Sequence, residues 1–153
     1  MKRNLRTVVS AVAALLVMTG GMIGSSQAAS AAVVVPPGGA GSTCSEYHFV
    51  TPEHYWQTCA WADYRYIWFT VNFGNTDSDP WYPDMTYIDY IKAGVKKVCP
   101  AGAYDDFVIT PFSTRGTDRM SCVLTRVRGA FASVGTVIDG KTVEKHSPTL
   151  QVQ

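Results

Sequence analysis

The chain has 153 residues, 46% of them hydrophobic, with 13 basic and 12 acidic side chains and a formal charge of +1 at pH 7. Three of the bases, Lys2, Arg3 and Arg6, open the chain, so the remainder holds 10 bases against 12 acids, a charge of −2. That near-neutral balance excludes the strongly basic signature of a nucleic-acid-binding domain. The charges are unevenly spread: seven acids face Arg65 alone up to Asp89, whereas Lys92 to Lys145 holds nine bases and five acids.

The basic start is followed by an uncharged apolar run from Val8 to Met18 and then by small residues. This is the pattern of a secretory signal peptide, expected over residues 1–31. Cleavage is expected near 28–31, after Ser26-Gln27-Ala28 or Ala29-Ser30-Ala31. Thr19, Gly20 and Gly21 interrupt the run before the roughly 20 apolar residues of a membrane span. Paired arginines are absent, which points to the general secretory route and an extracellular mature protein with no membrane span. In style the leader resembles those of Gram-positive bacterial exoproteins.

Residues 32–43, Val-rich and then Pro36-Pro37-Gly38-Gly39-Ala40-Gly41, read as a flexible linker, and a single disulfide-stabilised domain is expected over 44–153. Cys44, Cys59, Cys99 and Cys122 form an even set in an exported chain, which implies two disulfides. Three pairings are possible, and sequence proximity favours Cys44–Cys59 with Cys99–Cys122. The spacings contain no Cys-x-x-Cys unit, which argues against a zinc site.

Short strands are expected over Tyr47–Val50 and Tyr55–Trp61. The strongest is Asp63–Phe73, closed by Gly74-Asn75. Its period-two alternation sets Ile67, Phe69, Val71 and Phe73 on a core face. Tyr64, Tyr66, Trp68, Thr70 and Asn72 fall on the other. Residues 75–84 are a loop rich in Asn, Asp, Ser and Pro. Over 85–98, Ile88, Ile91, Val95 and Val98 recur at helical spacing, but Thr86, Tyr87, Ile88, Tyr90 and Ile91 are strand formers, and a hairpin turning at Lys92-Ala93-Gly94 is favoured. Further strands are expected at Phe107–Thr110, Ser121–Val127 and Ala130–Val134, with a polar turn over Ser113–Arg119. Asp139-Gly140 marks a hairpin, and Thr149–Val152 a last edge strand. The fold class is therefore an all-β, small antiparallel β-sandwich stapled by two disulfides, the alternative being α+β with one helix at about 85–98.

All four tryptophans and all eight tyrosines lie between residues 47 and 104. Flat rings with polar edges stack on the C–H faces of sugars and suit interfaces generally. Tyr64, Tyr66 and Trp68 would form a row about 13 Å long on one strand face. The competing expectation is that a second sheet or the 75–84 loop covers them. The best functional expectation is thus a secreted, non-enzymatic binding or cell-envelope interaction module using Tyr64, Tyr66, Trp68, Thr70 and Asn72. Its partner would be a glycan, a cell-envelope component or another protein, and no cofactor is implied.

Other constellations are weaker. Asn75, Asp77 and Asp79, with Asp84 beyond, have the oxygen spacing of a calcium loop. Pro80 replaces the glycine and Thr86 the bidentate glutamate of the helix–loop–helix motif, so a solvated turn is expected instead. His48, Glu53 and His54 lack a third ligand at metal spacing. Ser121, Asp105, Asp106 and a histidine form no recognisable triad. Finally, Val98-Cys99-Pro100-Ala101-Gly102-Ala103-Tyr104-Asp105 begins at a disulfide. It resembles the reactive loop of the bacterial subtilisin-inhibitor family, whose exported members carry two disulfides, and the Cys44-to-Cys59 separation suits that comparison. The resemblance implies, as an alternative function, a secreted protease inhibitor with a disulfide-anchored loop at 99–105. The loop length and the rest of the chain depart from the family.

Overall fold

Alternating apolar and polar residues, punctuated by turn formers, become twelve strands among the described residues, 31–153, of the computed structural model. All but Ala31 of the expected leader lies outside them. The first five strands are β1 (Val33–Val35), β2 (Gly41–Cys44), β3 (His48–Phe49), β4 (His54–Ala62) and β5 (Tyr66–Asn75). The next four are β6 (Met85–Lys92), β7 (Val95–Tyr104), β8 (Ser113–Gly116) and β9 (Val123–Thr125). Three more, β10 (Gly129–Asp139), β11 (Lys141–His146) and β12 (Leu150–Val152), complete the chain. A single 3-10 turn, Arg119–Ser121, is the one helical element described.

The strands form two sheets. Sheet A runs β1-β12-β10-β6-β7, with β11 also paired to β10. Sheet B runs β2-β4-β5-β8, with β3 also on β4 and β9 also on β5. Pairing is antiparallel except between β1 and β12. The sandwich is the all-β fold expected, and the helical alternative at 85–98 gives way to the β6–β7 hairpin. Its turn residues, Ala93 at φ 50° and Gly94 at φ 80°, both take the left-handed conformation that a tight hairpin requires. Of the residues at helical spacing Ile88 is buried, while Val95 and Val98 are exposed.

Ile67, Phe69, Val71 and Phe73 do form the core face of β5, each no more than 2% exposed. Ile88, Phe131 and Val137 of sheet A join the same core. A buried polar contact crosses it: the Thr58 and Ser133 hydroxyls lie 2.6 Å apart, and Thr58 also donates to the Thr70 carbonyl. Gly135 permits the close approach there, since a Cβ would meet Val71 Cγ2 at 2.8 Å and Thr58 Cβ at 2.9 Å. Both disulfides pair as proximity favours, Cys44–Cys59 between β2 and β4 and Cys99–Cys122 between the two sheets. Two disulfides suit an oxidising, extracellular-type environment. Among the described residues no helix is long and apolar enough to cross a membrane.

Several local expectations are corrected. Residues 32–43 are not a flexible linker: they contain β1 and begin β2, and Val35 is fully buried. The cause is Arg126, whose guanidinium donates to the carbonyls of Pro36, Gly39, Asp63 and Gln153, tying the segment to the β4–β5 turn and the C-terminus. Leu150–Val152 is not an edge strand, because β1 adds outside it. Phe107–Thr110 contributes one isolated bridge, Trp81 to Ile109, and Ser113–Gly116 forms β8 rather than a turn. Pro100 to Tyr104 lies within β7, with Ala103 and Tyr104 paired to Tyr87 and Thr86 beyond a wide bulge at which Pro100 and Ala101 are exposed.

Candidate functional site

The outward face of sheet B is built by alternation on its two central strands. Tyr55, Gln57, Cys59 and Trp61 point outward from β4, and Tyr66, Trp68, Thr70, Asn72 and Gly74 from β5. The register sets Tyr55 opposite Gly74, Gln57 opposite Asn72, Cys59 opposite Thr70 and Trp61 opposite Trp68. From Tyr55 to Trp61 the face is about 20 Å long at 3.3 Å per residue. Neither sheet A nor the 75–84 loop covers it; Tyr66 is 41% exposed and Trp61, Trp68, Gln57 and Asn72 are half-buried.

One end of the face is an aromatic cluster. Tyr55 packs its ring 5.1 Å from Tyr47 and 5.5 Å from Phe49, both exposed, which β3 delivers alongside β4. Gly74 makes room for it: a Cβ there would lie 2.2 Å from the Tyr55 ring. At the centre Gln57 Nε2 donates to the Tyr47 hydroxyl at 3.5 Å, and Asn72 Nδ2 reaches Cys59 Sγ at 3.2 Å.

The other end carries the two indoles. Trp61 Nε1 donates to Thr70 Oγ1 at 3.0 Å, so Thr70, 3% exposed, holds Trp61 in place and is not itself presented. The strand pairing with β5 on its far side is interrupted here. Thr117 bonds Val71 in both directions, and Phe69 donates to Cys122. Between them residues 118–121 bulge outward as the 3-10 turn. Asp118 caps it by accepting from the Met120 amide at 2.9 Å, Tyr104 Oη donates to Ser121 Oγ at 2.7 Å, and Cys122 is bonded to Cys99. The bulge puts the Arg119 guanidinium 5.7 Å from the Trp68 ring centroid. Arg119 thereby lies between two clefts. One of about 310 Å³ is lined by Trp61, Thr70, Asn72, Gly116, Thr117 and Arg119. The second, about 180 Å³, is lined by Asp63, Tyr66, Trp68, Arg119, Met120 and Val123.

Of the five expected binding residues, Tyr66, Trp68 and Asn72 share this open face and Thr70 supports it. Tyr64 does not join the row. Asp63 Oδ1 accepts from the Arg65 and Tyr66 amides at 2.7 Å each, which turns the chain before β5 begins and leaves Tyr64 at the hairpin tip, 63% exposed. The same amides, Tyr66 then Arg65, hold the Asp63 carboxyl below the usual carboxylate range. Tyr47, Phe49, Tyr55 and Trp61 were not assigned to the site from sequence; period-two spacing from Tyr55 to Trp61 was their one local signal.

The remaining candidates are dispersed or otherwise engaged. Asn75 is buried and donates to the carbonyls of Asp79 and Ile109 while accepting from the Asp77 amide. Asp77 accepts from the Ser78 and Asp79 amides, and Asp84 from the Gly140 amide. These oxygens organise their own loops, and no metal-holding group of three or more His, Cys, Asp or Glu occurs among the described residues. His54 stacks on Trp81 at 4.8 Å, and burial followed by nearby Lys145 lowers the His48 pKa. Ser121 is bonded to Tyr104 and Asp118, with neither histidine nor a free carboxylate beside its hydroxyl. Comparison of the chain with protein-family models, curated proteins and solved structures finds no match.

Proposed function

We propose that this chain is an exported, non-catalytic binding module that holds an extended polysaccharide along the outer face of sheet B. The observation that carries this reading is the composition of that face. Rings at both ends, Tyr47, Phe49 and Tyr55 against Trp61, Tyr66 and Trp68, flank a middle of amides, Gln57 and Asn72. Sugar rings stack their C–H faces on such side chains, while hydroxyls exchange hydrogen bonds with amides between them. A face about 20 Å long suits a chain of sugars better than a single one. The uncharged middle favours a sugar chain over a peptide rich in ionic groups. The leader pattern and the two disulfides support export.

Native electrophoresis through gels containing hydroxyethyl cellulose, xylan, mannan or polygalacturonate tests the reading. At least one polymer should retard the protein. Trp68→Ala should weaken that binding about thirtyfold, the scale of an aromatic anchor, with the fold retained by circular dichroism. Unretarded migration in every polymer, or retardation indifferent to Trp68, removes the proposal.

A further inference from the structure

Resting on the polysaccharide reading, we infer that the ligand carries ring carboxylates, and that Arg119 selects a uronate-bearing chain over its neutral counterpart. Three observations converge on Arg119. It makes none of the ion pairs found among the described residues, which all involve Glu144 or Lys96 on the other sheet. It stands at the boundary of the two clefts, so a chain running from one to the other passes its guanidinium. Its guanidinium also lies over the Trp68 ring, 5.7 Å from the centroid, so a sugar approaching that indole meets the cation.

Neither Asp118, its chain neighbour, nor Asp63, which lines the same cleft, forms an ion pair with it. Asp118 accepts from the Met120 amide, and Asp63 from the Arg65 and Tyr66 amides. Arg126 is spent on four backbone carbonyls and Arg65 lies over the Tyr64 ring at the hairpin tip, which leaves Arg119 as the cation lining the two clefts. A guanidinium is planar and presents paired N–H groups that match a carboxylate. In a uronic acid the carboxylate is attached to the sugar ring itself, so a sugar seated in either cleft, against Trp61 or Tyr66, can direct it to the guanidinium over Trp68. A phosphodiester polymer carries its charge between units rather than on the stacked ring.

The bulge at 118–121 is pinned from several sides. It interrupts an otherwise continuous pairing of β5 and is fixed by the Asp118 cap, the Tyr104 hydroxyl and a disulfide. Those restraints hold Arg119 near the indole before any ligand arrives, which limits the ordering entropy lost on binding.

Polygalacturonate, alginate and hyaluronan, each beside its carboxyl-reduced form, separate the charge from the backbone. Titration calorimetry of the purified protein should show at least one acidic polymer binding about tenfold more tightly than its reduced form, as for a charged hydrogen-bonded pair. Arg119→Gln should erase that difference, and added salt should do the same. Equal affinity for acidic and reduced forms, or an unchanged preference in Arg119→Gln, overturns the inference while leaving the platform intact. Tighter binding of poly(glycerol phosphate) than of every uronan overturns the choice of carboxylate. Binding of none of these polymers, and of none of the neutral ones, defeats the platform itself.

Discussion

The two outer faces of the sandwich come from the same strand alternation yet differ in chemistry. On sheet B the outward positions hold rings, amides and small residues, with Arg119 over Trp68 and Arg65 at the hairpin tip bordering them. On sheet A the outward positions include an ionic cluster beside the exposed Tyr87 and Val98: Lys96 of β7 bonds Glu144 of β11 at 2.7 Å and lies 3.6 Å from Asp89 of β6, while His146 Nε2 lies 2.8 Å from Glu144. That strap spans four strands and lies over Val134, which is fully buried although it points away from the core. Charges that satisfy one another advertise nothing to a ligand. Rings and amides left with few partners do. The proposed recognition therefore belongs to sheet B, while sheet A carries a charged strap whose groups pair with one another.

The largest expected effect tests whether the faces are independent. Cys99–Cys122 joins β7 of sheet A to the residue following the 118–121 bulge. Replacing both cysteines by alanine frees a 23-residue separation, and the chain-entropy model sets the loss near 3 kcal/mol. Chemical denaturation should report that loss, and the released bulge should also weaken polysaccharide binding at Arg119. An unchanged unfolding midpoint defeats the staple; unchanged binding in the folded variant shows that the bulge holds its shape without it. A smaller effect follows from Gly74. Gly74→Ala inserts a Cβ 2.2 Å from the Tyr55 ring, which must swing away. Overpacking of this kind costs about 1–3 kcal/mol, less where a side chain yields. Binding should fall because Tyr55 leaves the face, whereas tyrosine fluorescence indistinguishable from the parent chain sinks that account.

What the sequence made legible was local. The inward set of β5, the β6–β7 hairpin and the cysteine pairing follow from alternation, turn residues and short separations. The aromatic face was legible on one strand, and its partners were not, because which outward rings share a surface depends on strand register. Trp61 meets Trp68, and Tyr47 and Phe49 reach Tyr55, through pairings that no window of the sequence contains. Arg126 shows the same limit: its acceptors lie 27 to 90 residues away, so Pro36 to Gly41 looked unanchored. Tyr64 was misplaced for the opposite reason. A short-range competitor, the Asp63 carboxylate capping two amides, ended the strand before alternation could reach it.

The smallest expected effect probes sheet A alone. Lys96 first, and then His146, hold the Glu144 carboxyl down to about 2 from an ordinary 4.5, and hydrogen bonding to Glu144 raises the Lys96 pKa. A carboxyl whose pKa is lower in the folded state contributes stability in full above its unfolded value, and loses it as pH falls through the folded one. The Glu144 contribution is therefore present above pH 4.5 and disappears as pH drops toward 2. The Lys96 contribution has the opposite sign: present below its ordinary 10.5, it is lost as pH rises past the folded value. Lys96 and Glu144 side chains are 45% and 42% exposed, so solvent screens the pair. Glu144→Gln should cost less than about 1 kcal/mol at pH 7. Urea unfolding of parent and variant should converge as the pH is lowered from 4.5 toward 2, and high salt should narrow the gap. Polysaccharide affinity at pH 7 should not change. A Glu144→Gln variant that matched the parent in stability yet lost binding would reverse the division of labour between the two faces, making the charged strap the recognition surface.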